Sequence, residues 1–146
     1  MSTPTKNIPL TNLSVNIENP RFELVGNQRE AIQVMIVDQG DKLINLAKDI
    51  VEIGMLNPGE LILVTPHEKD KGHYNVLEGN RRVTALKILS NPDLIDGKYS
   101  SFAKRLKPYA EQFKKKPIFD IPCAVFNNPD DANKWIKLKH TGENEG

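Results

Sequence analysis

The junction at residues 73–89 constrains the fold of this chain more than any other feature. His73-Tyr74-Asn75-Val76-Leu77 is rich in strand formers and is ended by Gly79; from Asn80 onward Val83, Ala85, Leu86, Ile88 and Leu89 recur as helix positions. A strand that passes through one glycine into a helix belongs to an α/β domain, because each element needs the other to cover its apolar side. Glycine at such a turn lets a ligand approach the backbone, and Asn80 is suited to cap the helix. The start of a helix presents unpaired amides with a partial positive charge, so an anion fits there. Arg81 and Arg82 occupy that first turn, where a cation is unfavourable against the helix dipole unless something negative lies beside it. Two readings follow: the arginines hold an anion, or they point into solvent or pair with acids elsewhere.

The rest of the chain supplies the elements around this junction. Ile8-Pro9-Leu10 and Leu13-Ser14-Val15 read as a short extended piece, and Glu18-Asn19-Pro20-Arg21 as a turn. Ala31, Ile32, Met35, Ile36 and Val37 predict a mostly buried helix from Gln28 to Gln39 that ends at Gly40. Asp41 then caps a second helix with Leu43, Leu46, Ala47, Ile50 and Val51 in one stripe, closed by Gly54. Asn57-Pro58-Gly59 turns the chain into Leu61-Ile62-Leu63-Val64, a continuous apolar run expected of a strand covered on both faces. After Asn91-Pro92, Phe102, Leu106, Ala110 and Phe113 mark a helix from Ser101 to about Lys115, with Pro108 placed to kink or split it. Ile121 to Phe126 reads as a strand, and a last helix begins at Asp130 or Asp131 and ends at Gly142.

At 146 residues and 38% hydrophobic content, one domain is expected, with its core at about 8–126 and a C-terminal helix at about 130–141. The polar tail from Thr141 to Gly146 closes no element, so the natural chain is expected to continue. Twenty basic against nineteen acidic residues give a net charge of +1, too little to draw the whole molecule onto nucleic acid, and any anion site must be local. One cysteine excludes an internal disulfide and a thiolate metal cluster. With no run of 18 apolar residues and a polar start, a soluble, cytoplasmic protein without membrane partners is expected.

Three ordered stretches between Ile8 and about Leu89 resemble the ParB and sulfiredoxin superfamily. Gly79-Asn80-Arg81-Arg82-Val83-Thr84-Ala85 matches the family box Gly-x-Arg-Arg-x-x-Ala at every fixed position. Glu18-Asn19-Pro20-Arg21 is similar to a short form of the first box, without the glutamine and second proline of segregation-type members. Gly54-Met55-Leu56-Asn57-Pro58 before Leu61-Ile62-Leu63-Val64 resembles the family's helix-ending loop. Asn27-Gln28-Arg29-Glu30 is like a third family motif but precedes the phosphate box instead of following it, and is treated as accidental. The resemblance implies a small mixed sheet flanked by helices, with C-terminal helices, of class α/β (α+β). It also implies binding of a nucleoside triphosphate, CTP or ATP, with Mg²⁺, by Gly79, Asn80, Arg81, Arg82, Asn19, Arg21, Gly54, Leu56 and Asn57. Sulfiredoxin chemistry needs a cysteine in the phosphate turn, where this chain has Asn80, and is not expected.

The function implied is a regulatory switch in a DNA-associated protein, reading DNA through a downstream domain, with a homodimer among the assemblies it allows. The alternative is a ParB-like enzyme, an NTPase or nuclease, with Glu18, Glu23, Glu30 or Glu78 as candidate carboxylates; no two of them have the spacing of an acid–base pair. A third reading is an interaction or DNA-clamping module without nucleotide. Charge-assisted hydrogen bonds contribute about 1.5–3 kcal/mol each, and a micromolar complex needs about 8 kcal/mol. Two arginines therefore fall short, and helix-start amides, a cation and neighbouring loops must supply the remainder.

Other features are weaker. Residues 98–116 hold seven basic side chains and one acidic, Glu111, a solvated face rather than a DNA site. His67, His73 and His140 lack metal-ligand spacing. Cys123, between apolar strand residues, is expected in the core, and Trp135 is expected to anchor the last helix by packing.

Overall fold

The computed structural model describes residues 4–15 and 28–145, with side chains to Leu138. The expected loop Glu18-Asn19-Pro20-Arg21, and Glu23 with it, lie outside the described residues. Strand β1 is Thr5–Pro9 and β2 Leu13–Ser14; helix α1 is Gln28–Ile53, β3 Ile62–Pro66, β4 Tyr74–Glu78 and α2 Asn80–Ser90. Two 3₁₀ turns then lead to α3, Ser100–Lys115, β5, Asp120–Val125, and α4, Pro129–Glu145. The architecture is mixed α/β.

The five strands form one sheet in the order β1-β5-β3-β4-β2. The pairs β1–β5 and β3–β4 are antiparallel, whereas β3–β5 and β2–β4 are parallel. Its two outermost strands are joined by a single 3₁₀ turn, Leu10–Asn12. Four interstrand gaps of a flat sheet span about 19 Å, but the four residue steps from Pro9 to Leu13 reach about 14 Å at most. The sheet must therefore curl until its edges approach. Lys6 on β1 accordingly donates a 3.1 Å hydrogen bond to the hydroxyl of Tyr74 on β4, and its Nζ lies 5.6 Å from that ring's centre.

One face of the curled sheet carries the main core. Ile8, Leu13, Val64, Val76, Ile121 and Cys123 meet Leu43 and Ala47 of α1, Leu86 and Leu89 of α2, and Leu106 and Phe113 of α3. Lys87 reaches back from α2 to donate to the Leu10 carbonyl at 3.3 Å, and burial lowers its pKa. The opposite face holds a smaller cluster, Ala124, Phe126 and Ala132, against which Leu61, Leu63, Leu77 and Ile136 pack. Thus α4 covers the second face, which is why residues 61–64 are apolar without alternation.

Among the helices one expectation holds and four need correction. The two helices expected on either side of Gly40 are both present within the α1 span, meeting at a sharp kink where Gly40 takes the non-helical φ 34° and ψ −107°. Asp41 stands at the start of the second of them, and its carboxylate accepts from Arg105 at 2.7 Å. The segment before the kink is only half buried, because Ile32 and Ile36 share one stripe while Val37, a further 100° around, faces solvent. Trp135 does not anchor α4: it is 62% exposed, and Ala132 and Ile136 make the packing contacts. Finally, α4 runs past Gly142 to Glu145, since glycine costs a helix about 1 kcal/mol but does not forbid it. Likewise α3 is continuous across Pro108, which faces solvent, where water can take the carbonyl that the proline leaves without a donor.

Candidate functional site at the start of helix α2

Between β4 and α2 the backbone turns on Gly79 alone, which is the residue that caps α2, in the left-handed region at φ 102° and ψ 19°. Asn80 is not the cap but the first helical residue. Its backbone carbonyl accepts the buried Thr84 hydroxyl at 2.8 Å, and its side-chain amide leans back toward the Val76 carbonyl at 3.5 Å. The first helical hydrogen bond runs from the Val83 amide to the Gly79 carbonyl at 3.0 Å, leaving the amides of Arg81 and Arg82 to face outward from the helix start.

These residues line a cleft of about 430 Å³ with Glu60, Leu77, Glu78, Met35, Gln39 and Leu46. Met35 and Gln39 precede the Gly40 kink and Leu46 follows it, so the bend in α1 wraps that helix around the cleft. The sequence marked Met35 and Leu46 only as core positions, because periodicity shows which residues share a face but not what the face meets.

The two arginines have different roles. Arg82 folds back over the turn: its Nη1 donates to the Glu60 carbonyl at 2.6 Å, and its Nη2 lies 3.8 Å from the Glu60 carboxylate. Only 12% of its side chain is exposed. Arg81 is exposed and makes no hydrogen bond or ion pair among the described residues. Pairing with an acid therefore describes Arg82, and Arg81 is the cation turned outward at the helix start.

Gly79 permits this crossing. A Cβ there would lie 2.5 Å from Ile62 Cδ1 and 3.6 Å from Arg82 Nη2, in a conformation that side chains rarely adopt. The formal charge of the lining is balanced, two arginines against Glu60 and Glu78, so attraction for an anion must come from the amides, from Arg81 and from any cation that arrives with the ligand.

The remaining candidates are dispersed. Gly54, at φ 81°, closes α1 through its amide to the Ile50 carbonyl at 2.8 Å; Leu56 packs on the core; the Asn57 side chain accepts the Gly59 amide at 2.9 Å. None of the three lines the cleft, although Glu60, three residues beyond Asn57, does. Glu30 is exposed on α1 outside the cleft, and Glu18, Asn19 and Arg21 lie outside the described residues. Glu78 is the one candidate carboxylate of the enzyme reading that borders the cleft among the described residues. Cys123 is fully buried, donates to the Ile121 carbonyl at 3.2 Å, and has its pKa pushed up to about 12 by burial, as a core thiol rather than a nucleophile. Among the described residues no three His, Cys, Asp or Glu side chains are grouped to hold a metal, and no helix is long and apolar enough to cross a membrane.

No family model matches the chain, and no curated protein does. Among solved structures it is similar to the C-terminally truncated chromosome-partitioning protein ParB from Caulobacter crescentus complexed with CTP-gamma-S, at 18% identity and a TM-score of 0.45. That match covers 86% of this chain and 45% of the other, so this chain spans less than half the length of the structure it matches.

Proposed function

We propose that this domain binds a nucleoside triphosphate, CTP or ATP, with its phosphates at the start of α2, and that binding serves as a switch in a DNA-associated protein. The observation that carries this reading is the exposed Arg81 beside outward-facing amides, on a glycine turn that borders a cleft of about 430 Å³. Arg81 contributes about 1.5–3 kcal/mol as a charged phosphate partner; a micromolar complex needs about 8 kcal/mol. The amides of Arg81 and Arg82 and Mg²⁺ supply much of the difference. Magnesium keeps most of its waters and takes one or two carboxylates together with substrate phosphates, so a dedicated protein cage is not required, and Glu60 or Glu78 at the cleft edge suffices.

Arg82 is the residue through which binding is transmitted. A phosphate that engages its guanidinium competes with Glu60, which stands just before β3, so the ligand favours one arrangement of that segment over another. Calorimetric titration with CTP, ATP and GTP, each with and without Mg²⁺, followed by product analysis, tests the proposal. Micromolar, magnesium-dependent binding with the triphosphate recovered intact is expected. Absence of heat with all three nucleotides would remove the nucleotide reading, and rapid turnover would replace the switch with an enzyme.

A further inference from the structure

A second cleft, of about 350 Å³, lies on the α4 side of the sheet and is lined by Gly59, Glu60, Leu61, Leu63, Glu78, Trp135 and Ile136. Glu60 and Glu78 border both clefts, so the two are neighbours across these carboxylates. Trp135 is 62% exposed although it stands in the same turn as Ile136, which packs on the sheet. The floor of this second cleft is apolar and its rim carries two carboxylates, of which Glu60 is paired with Arg82 of the neighbouring cleft. A flat heteroaromatic ring fits there: indole offers a stacking face, and carboxylates accept hydrogen bonds from an exocyclic amino group.

We infer that Trp135 is the stacking platform for the nucleobase of the nucleotide whose phosphates occupy the start of α2, and that Glu60 or Glu78 accepts from the amino group of the base. This inference rests on the proposed phosphate site and assigns the other end of the same ligand. It places the base on α4 and the phosphates on α2, so that one nucleotide joins two elements on opposite faces of the sheet. It also favours cytosine or adenine over uracil, which offers no amino group.

Trp135 is the only tryptophan in the chain, so its emission reports on this cleft directly. Magnesium with CTP or ATP is expected to quench it, whereas inorganic triphosphate, which binds the phosphate site without a base, leaves emission unchanged. Calorimetry should show that Trp135→Ala weakens CTP or ATP binding about tenfold, as expected for loss of one base–aromatic stack. The same variant leaves inorganic triphosphate affinity unchanged, and Trp135→Phe retains most of the nucleotide affinity. Nucleotide binding seen by calorimetry with no change in emission and no effect of Trp135→Ala would overturn the stacking assignment while leaving the phosphate site standing. Loss of both triphosphate and nucleotide binding in wild-type protein would instead remove the phosphate site and the inference with it. Emission that changes with protein concentration and not with nucleotide would assign Trp135 to contact between copies of this chain, overturning the inference.

Discussion

Replacing Gly79 by alanine strains the turn in two separable ways. At φ 102° the new side chain sits in a region that costs about 1–3 kcal/mol for a non-glycine residue. Its Cβ also falls 2.5 Å from Ile62 Cδ1, and because Ile62 is 1% exposed the clash must be relieved inside the core, adding about 1–3 kcal/mol of overpacking. A total loss of about 2–6 kcal/mol corresponds to a fall in Tm of roughly 6–18 °C for a chain of this size. Gly72→Ala is the control, since Gly72 has a similar φ of 83° but nothing within 4 Å of the added Cβ. Ile62→Val removes the one atom that clashes, so in a double-mutant cycle Gly79→Ala should be less damaging beside it by about 1 kcal/mol. If Gly79→Ala lowered Tm no more than Gly72→Ala, and the cycle showed no coupling, Gly79 would not be held by this close approach and the account of the turn would be wrong.

The two arginines should part company. Arg81→Ala lowers triphosphate affinity by about 1.5–3 kcal/mol with thermal stability unchanged, whereas Arg82→Ala, by removing its hydrogen bond to the exposed Glu60 carbonyl, also destabilises the fold by about 0.5–1.5 kcal/mol in urea titration. Cys123 should resist alkylation in the native state at pH 8 and react quickly once unfolded. Its folded pKa of about 12 lies above the ordinary 9.0, so the unfolded thiol loses its proton first and stability falls between those values. The slope is at most about 1.4 kcal/mol per pH unit, and comparison with Cys123→Ala isolates it from other groups that titrate there. The exposed cations on α3 should give only weak, sequence-independent binding to duplex DNA that fades between about 50 and 200 mM salt in fluorescence anisotropy; tight, salt-tolerant, sequence-selective binding would promote DNA recognition above the nucleotide switch.

Local signals in the sequence were enough to place the junction at Gly79 and the apolar stripes of α2 and α3, because each depends on residues within a few positions of one another. The pairing of Arg82 with Glu60 joins residues 22 apart in sequence, and nothing around Glu60 marks it as the partner. The wrapping of α1 around the cleft depends on how far the chain bends at Gly40, which a glycine permits but does not specify. Trp135 was misread for a related reason: apolarity alone does not say whether a helix face meets the sheet or solvent, and Ala132 and Ile136 already fill the space over the sheet. The curl of the sheet follows from the short link between β1 and β2, which has meaning only once their places at opposite edges are known.

The central claim is that phosphates sit at the start of α2, and backbone amide chemical shifts recorded while Mg²⁺ and CTP are titrated into labelled protein test it most directly. The largest and saturable changes are expected at the amides of Gly79, Asn80, Arg81 and Arg82, with those of Arg81 and Arg82 moving downfield as they donate to phosphate oxygens, and with the response at these positions retained when inorganic triphosphate replaces CTP. Saturable binding that leaves these four amides unmoved while shifting residues elsewhere would contradict the account.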